Sequence, residues 1–402
     1  MLSLSDIESA AATLQGKVRR TELIHSHFFS ERLDTPVFFK CENLQRAGSF
    51  KIRGATNFLA GQSKESLARG VITASAGNHA QGVALSASQH GIPAWVVMPE
   101  STPLAKILAT RDYGAHIELH GSTFDDAAAH AQALCREKEL LYIPAFDHPL
   151  IMAGQGTVGL EILDDLPDPD TIVVPIGGGG LISGIATAIK AHRPQARIIG
   201  VEAANAPSAQ LALRKGAPVT LPAAHSLADG IAIKRIGDLT FPVIQQLVDD
   251  IVTVEEEDIA QAIVSLMEKG KLVTEGAGAI ALAALLYGRK PLHHGKTVFV
   301  LSGGNIDVQT MSRVVERGLV AEGRFLKIRA TLLDAPGTLS RLTTILADLR
   351  ANVFHINHDR RNASIPLERT EVDLHLETRG CEHIQEILEH LKAEGYDVEV
   401  MR

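Results

Sequence analysis

One lysine in this chain has neighbours that a plain surface charge does not need. In AGSFKIRGA (residues 47–55), Lys51 follows the aromatic Phe50 and opens a stretch patterned as a helix. A lysine in such a place is ordinarily a solvated cation, and alone Lys51 reads that way. Three distant stretches supply what covalent chemistry at an amine would require: SAGNHAQG (75–82), GGGGL (177–181) and SGGN (302–305). Gly177, Gly178, Gly179 and Gly180 follow the strand-like TIVVPI, and a helix begins near Leu181. Successive glycines let backbone N–H groups converge, and a helix N-terminus adds partial positive charge, so the segment suits a phosphate without any basic side chain. A close-packed glycine turn is the plainer reading of the same residues. A dinucleotide site is the rival, since Glu202 ends the next strand where a ribose-binding acid would sit, but no window here fits G-x-G-x-x-G.

A phosphate site joined to a special lysine points to pyridoxal phosphate, whose aldehyde forms a Schiff base with a lysine amine. Phe50 is then placed to lie against a flat ring, and Ser49 to reach a phosphate oxygen. Gly77 is expected to permit an unusual turn, and Asn78 to offer its amide to a ring hydroxyl. The exposed N–H groups at the start of the next helix suit a carboxylate. Ser302, just after strand TVFVL, is expected to face the pyridine nitrogen. Each Asn or Ser taken singly is more often a turn cap. The chemical reading rests on the four stretches together.

The elements that must hold these residues are legible around them. VITAS, AWVVMP, AHIELH, TIVVPI, RIIGVE and TVFVLS are near-continuous apolar runs, as parallel strands buried on both faces require. Alanine-rich helical segments lie between them, at 79–90, 125–139 and 183–192. That alternation predicts a layered α/β domain with its site at the carboxyl ends of strands. A further helix is predicted over 256–269, its acidic start (255–258) forming the first turn. After a composition change at 320–324 the pattern becomes βαββαβ, the ferredoxin-like order. Its inward residues are Leu326, Ile328, Ala330 and Leu332 on one strand and Val372, Leu374 and Leu376 on another.

Composition narrows the function classes. The 402 residues carry a net charge of −8, which argues against a nucleic-acid binder. The 3 cysteines form no CxxC pair or framework spacing, which suits a reducing cytosol and a cytoplasmic protein. Asp6 and Glu8 interrupt the N-terminal apolar stretch, so no secretory leader is expected. The longest uncharged run (171–189) contains four glycines and a proline and parses as strand, loop and helix, not as a membrane span. His293 with His294, and His355 with His358, lack a zinc-like companion set and read as surface or strand-face histidines.

In order along the chain, GSFKIRGA (48–55), SAGNHAQG, AGQGT (153–157), GGGGLISG (177–184), VTEGAGA (273–279) and LSGGN (301–305) resemble fold-type II pyridoxal-phosphate enzymes of the threonine dehydratase and serine racemase branch. The likeness spans about residues 5–318. The tail resembles an ACT domain, with DAPGTLSRL (334–342) at its turn and helix. The resemblance implies a catalytic domain over 1–320, with a smaller subdomain at about 48–146 inserted in the larger one, and an ACT regulatory domain over 321–402. It implies that Lys51 binds the cofactor and removes the Cα proton as general base. Phe50, Asn78, Gly177, Gly178, Gly179, Gly180, Leu181 and Ser302 would contact the cofactor. Ser75, Ala76, Gly77, Asn78 and His79 would hold the substrate carboxylate, with no metal in the reaction. The cofactor phosphate would protonate the departing β-hydroxyl.

Three positions bear on which reaction follows. A neutral Ser302 does not force a proton onto the ring nitrogen, which favours rapid β-elimination over transamination. Serine racemases have a serine where this chain has Ala76, and a methyl group cannot transfer a proton. A cation site of racemase-like relatives would use Glu202, the Ala206 carbonyl and an acid in place of Ser208, so one anionic ligand is missing. Glu275 is read either as a neighbour of the ring or as structural. The expected activity is elimination of water from L-threonine, and from L-serine, to a 2-oxo acid and ammonia. A serine racemase, a dehydratase for another β-hydroxy amino acid and a non-catalytic amino-acid sensor are the alternatives. An amino-acid effector at the ACT domain and a homodimer or homotetramer are also implied.

Overall fold

The computed structural model describes residues 2–287, 295–360 and 366–401, so His293 and His294 lie outside the described residues. The chain divides into two compact units, Met1–Val308 and Gln309–Arg402. In the first, a six-stranded sheet runs in spatial order Leu23–His25, Val37–Lys40, Thr297–Val300, Thr171–Pro175, Arg197–Ala203 and Asp250–Val254. Only the first pair is antiparallel. Thr171–Pro175 and Thr297–Val300 are buried at every residue, which explains why their sequences show no polar alternation. The core on one side of this sheet contains Ile172, Val174, Ile182, Ile185 and Val298.

A second, four-stranded parallel sheet lies within the same unit, ordered His116–Leu119, Ala94–Met98, Val71–Ala74, Leu141–Tyr142. Helices Lys51–Ala60 and Asn78–Gln89 contribute Phe58, Leu59, Val83 and Ala84 to its core. Three of the four chemical stretches follow carboxyl ends of parallel strands: Ser75 after Ala74, Gly177 close behind Pro175 and Ser302 close behind Val300. This is where an α/β architecture places ligands.

The second unit holds a four-stranded antiparallel sheet ordered Asn352–Asp359, Arg369–Glu377, Phe325–Leu333, Asp397–Val400. With helices Thr338–Asp348 and Cys381–Ala393 the chain order is βαββαβ. Leu326, Ile328, Ala330, Val372, Leu374 and Leu376 form its core with Leu342, Leu346, Ile387 and Leu391 from the helices. Helix Val308–Ala321 belongs almost wholly to this unit, so the units part earlier than the change of composition at 320–324. The reason is its packing: Val315, Glu316 and Leu319 line a cavity with Phe325, Phe354 and His375, and Lys327 pairs with Glu316 at 2.6 Å.

The helix expected over 256–269 is regular only over Glu256–Ser265 and continues as a π turn, Leu266–Gly270. Lys271, with φ 56°, then ends it in the left-handed region.

Candidate active site

Lys51 begins helix Lys51–Ala60, and that helix is fixed by close backbone approach on two sides. A Cβ on Gly82 would fall 3.1 Å from the Ile52 nitrogen, and one on Gly154 would fall 2.7 Å from the Arg53 carbonyl oxygen. Only glycine lets helices Asn78–Gln89 and Pro149–Asp165 come so near. The Gly54 N–H donates to Gln155 Oε1 at 3.1 Å. Beneath the lysine, fully buried Arg53 donates to Glu42 and Glu161 at 2.6–2.9 Å, and fully buried Lys40 reaches Glu161 at 2.6 Å. This four-charge cluster went unnoticed in the sequence; a cation two residues from Lys51 on a helix of apolar neighbours was the one signal for it.

The half-buried Lys51 amine donates to the Ala145 carbonyl at 3.1 Å and lies 5.2 Å from the centre of the Phe50 ring. Desolvation pulls its pKa down to about 8, against the pull of the Glu275 charge. Phe50 packs its ring against the core of the large sheet.

Backbone hydrogen bonds stitch the lysine segment to SGGN. Phe50 N–H donates to Ser302 O at 3.2 Å, Gly304 N–H donates to Gly48 O at 2.9 Å, and Ser49 bridges Gly303. Ser302 is buried and its hydroxyl donates to Ala277 O at 2.9 Å. Asn78 joins the group from the other sheet: its Nδ2 donates to Glu275 Oε1 at 2.5 Å, and Asn305 Nδ2 donates to its Oδ1 at 2.8 Å. Glu275 is buried, and burial and the Asp229 charge push its carboxyl up to about 7, against the Asn78 hydrogen bond. A side chain on Gly303 would overlap the Glu275 carboxyl, which accounts for that glycine.

Around Asn78 the other expected residues fall as follows. Ser75 Oγ accepts the Gly77 N–H at 3.2 Å, and Ala76 packs toward the core of the smaller sheet. Gly77, just before helix Asn78–Gln89, has φ −137° and ψ −141°, outside both the helical and the ordinary extended regions. A Cβ on it would meet no atom within 4 Å. His79 is buried with Nε2 3.2 Å from Ile143 O, and desolvation with the Lys51 charge drives its pKa down to about 3. Its imidazole is therefore neutral and turned to a backbone partner.

The glycine loop is held from behind. Thr240 Oγ1 and Gly237 N–H both donate to Gly178 O, at 2.7 and 3.2 Å, and a side chain on Gly178 would overlap the Phe146 ring. Gly179, with φ 94°, caps helix Gly180–His192 in a conformation that favours glycine. Gly178, Gly179, Gly180 and Leu181 are buried, yet among the described residues their N–H groups meet no protein acceptor. Ser49 Oγ is likewise buried without a partner. Buried donors rarely stay unpaired, and these unpaired groups fit an anionic group such as a phosphate. Glu202, by contrast, is committed: its two oxygens accept the Ala209 and Gln210 N–H groups, each at 2.8 Å, capping helix Ser208–Lys215. Desolvation raises its pKa to about 7. Among the described residues no group of histidine, cysteine and carboxylate side chains is arranged to hold a metal.

Fold and site together define a class, and the comparisons agree with it. Residues 14–303 match the family described as pyridoxal-phosphate dependent enzyme. The L-threonine ammonia-lyase of Geobacter sulfurreducens is 59% identical over 402 residues, covering 100% of both chains. Among solved structures, maize serine racemase superposes with a TM-score of 0.75 at 36% identity, over 80% of this chain and 99% of that one. The processed form of threonine deaminase isoform 2 from Solanum lycopersicum gives 0.74 at 40% identity, over 78% and 92%. The chain belongs to the pyridoxal-phosphate-dependent enzyme family.

Proposed function

We propose that this chain is a threonine ammonia-lyase, eliminating water from L-threonine, and from L-serine, to give 2-oxobutanoate or pyruvate and ammonia. The observation that carries the reading is a run of contacts: the desolvated Lys51 amine donates to Ala145 O, a side chain on Gly178 or Gly180 would meet the adjacent Phe146, and Phe50 N–H donates to Ser302 O, while the buried N–H groups at 178–181 have no acceptor among the described residues. Full-length similarity to the Geobacter sulfurreducens L-threonine ammonia-lyase supports the substrate. Bound pyridoxal phosphate would supply an electron-withdrawing ring that acidifies the substrate Cα–H.

The protein supplies the rest. Gly178, Gly179, Gly180 and Leu181 would hold the phosphate end, with Gly177 beside them, and Ser302 would face the ring nitrogen. Lys51, whose pKa of about 8 lies close to physiological pH, removes the Cα proton. The N–H groups of Asn78 and His79, which have no acceptor among the described residues, receive the substrate carboxylate with Ser75, and Gly77 leaves room for it. His79 contributes its backbone, because its imidazole is neutral and engaged with Ile143.

Purified protein should show the absorption of lysine-linked pyridoxal and release ammonia from threonine. Lys51→Ala should lose the band and all 2-oxobutanoate formation. A normal rate in that variant would refute the assignment. Likeness to a serine racemase favours one second reading, racemisation, which the Ala76 methyl opposes; D-serine formed faster than pyruvate would reverse the choice.

The same proposal assigns residues 1–320 to catalysis and 321–402 to an ACT regulatory module that binds an amino-acid effector, in a cytoplasmic homodimer or homotetramer. Strand Asn352–Asp359 supports self-pairing: it lies at a sheet edge, with Phe354 67% and Ile356 41% exposed. Sedimentation with and without isoleucine or valine tests both points.

A further inference from the structure

We infer that Asn305 is a positioning residue that fixes which way the Asn78 amide points, leaving an N–H of Asn78 as its one donor for the ring oxygen of the cofactor. The inference rests on the proposed site. Asn305 Nδ2 lies 2.8 Å from Ala47 O, 2.8 Å from Asn78 Oδ1 and 3.3 Å from Gln81 Oε1. A backbone carbonyl can only accept, so the Ala47 contact forces nitrogen to that end of the Asn305 amide. The nitrogen in turn demands oxygen from Asn78. With its oxygen so engaged, Asn78 turns nitrogen toward the Glu275 carboxyl at 2.5 Å. A backbone atom thus settles two side-chain amides that otherwise have two orientations each.

The fit around Asn305 is tight. Gly48 has φ 67°, and a side chain there would overlap the Asn305 amide, so the amide lies flat against the loop that leads to Lys51. Asn305 therefore ties the lysine loop to Asn78 and Gln81 of helix Asn78–Gln89. Of the four hydrogen-bonding capacities of the Asn78 amide, its oxygen serves Asn305 and one N–H serves Glu275. The other N–H remains, and a donor is what an anionic ring oxygen requires.

The test compares wild type, Asn305→Asp, Asn305→Ala, Asn78→Ala and the Asn78→Ala/Asn305→Asp pair. Cofactor-stripped protein is titrated with pyridoxal phosphate, and the pH midpoint of the bound cofactor's visible band is recorded. Asn305→Asp cannot donate to Ala47 or Asn78, and should weaken pyridoxal phosphate binding about tenfold and move the midpoint. Asn305→Ala, which leaves Asn78 free to turn, should give a smaller loss of the same kind. In the Asn78→Ala background Asn305→Asp should add less than about twofold, because the residue acts through Asn78. The inference falls if Asn305→Asp matches wild type, or if its full effect persists without Asn78. Should Asn305→Asp fail to fold, Asn305→Ala alone and on the Asn78→Ala background decides by the same criterion. A wild-type chain that takes up no pyridoxal phosphate would refute the function itself, a result distinct from either.

Discussion

At single side chains, burial moves Lys51 and Glu275 in opposite senses, the amine down to about 8 and the carboxyl up to about 7. Both pKa values are thereby brought close to physiological pH, where each group is present in both protonation states and a proton moves between Lys51 and a substrate carbon at least cost. Glu275 also leaves a mark on stability. Its folded pKa lies above its ordinary value, so the folded chain holds the proton more tightly than the unfolded one. The stabilisation is complete below about 4.5 and is lost as pH rises through about 7. Glu275→Gln cannot ionise, yet its amide oxygen can still accept from Asn78. In cofactor-stripped protein, the variant should match wild type near the acid end and exceed it above neutrality by about 2–3 kcal/mol. Urea midpoints between pH 5 and 8 check this, and a gap that stays constant with pH would contradict it.

The element that matters most is helix Lys51–Ala60, because its first residue is the proposed base. Its lower face ends in the Arg53 cluster, where Arg53 and Lys40 balance Glu42 and Glu161 out of water. Arg53→Met leaves one anion uncompensated and should cost about 3–5 kcal/mol of unfolding free energy. Adding Glu42→Gln restores neutrality, with Lys40 still on Glu161, and should recover a substantial part of the loss. Equal loss in the single and double variants, by urea unfolding of the holoenzyme, would show that charge balance is not the cause. A cluster like this marks the limit of reading the sequence. Strand runs, helix faces and the glycine loop could be read because their cause is local: period, apolarity and missing side chains. The partners of Arg53 stand far away at 42 and 161, and no period encodes them. Glu202 shows the same limit, since an acid after a strand suits a ribose, a cation or, as here, the N-terminus of the next helix. Helix Val308–Ala321 shows another: its sequence reveals that it is amphipathic but not which unit covers its apolar face.

Over the whole first unit, the site lies where two sheets meet, so its geometry depends on how they are held together. Two ion pairs cross from the smaller sheet's elements to the segment before helix Thr240–Leu247: Lys106 to Asp229 at 2.5 Å and Asp125 to Lys234 at 2.8 Å. Their polarity alternates, with the cation on one side in the first and on the other in the second, so a slipped alignment would set like charges together. The segment they grip also lines the site. A Cβ on Gly177 would lie 3.1 Å from Ile231 Cα, and one on Gly230 would lie 3.6 Å from Glu275 Oε1. Loosening the pairs should therefore loosen both the glycine cradle and the Asn78–Glu275 contact. Both pairs are partly exposed, so each is worth at most about 1 kcal/mol. Lys106→Glu or Asp229→Lys should accordingly raise KM for threonine by up to about fivefold at low salt, with a smaller effect at high ionic strength. The combined reversal, Lys106→Glu with Asp229→Lys, should return KM toward the wild-type value, because the attraction is restored with its sign exchanged. Steady-state kinetics at two salt concentrations decide the matter. A double variant no better than the worse single one would mean that the two side chains act separately, and that the sheets are held by packing alone.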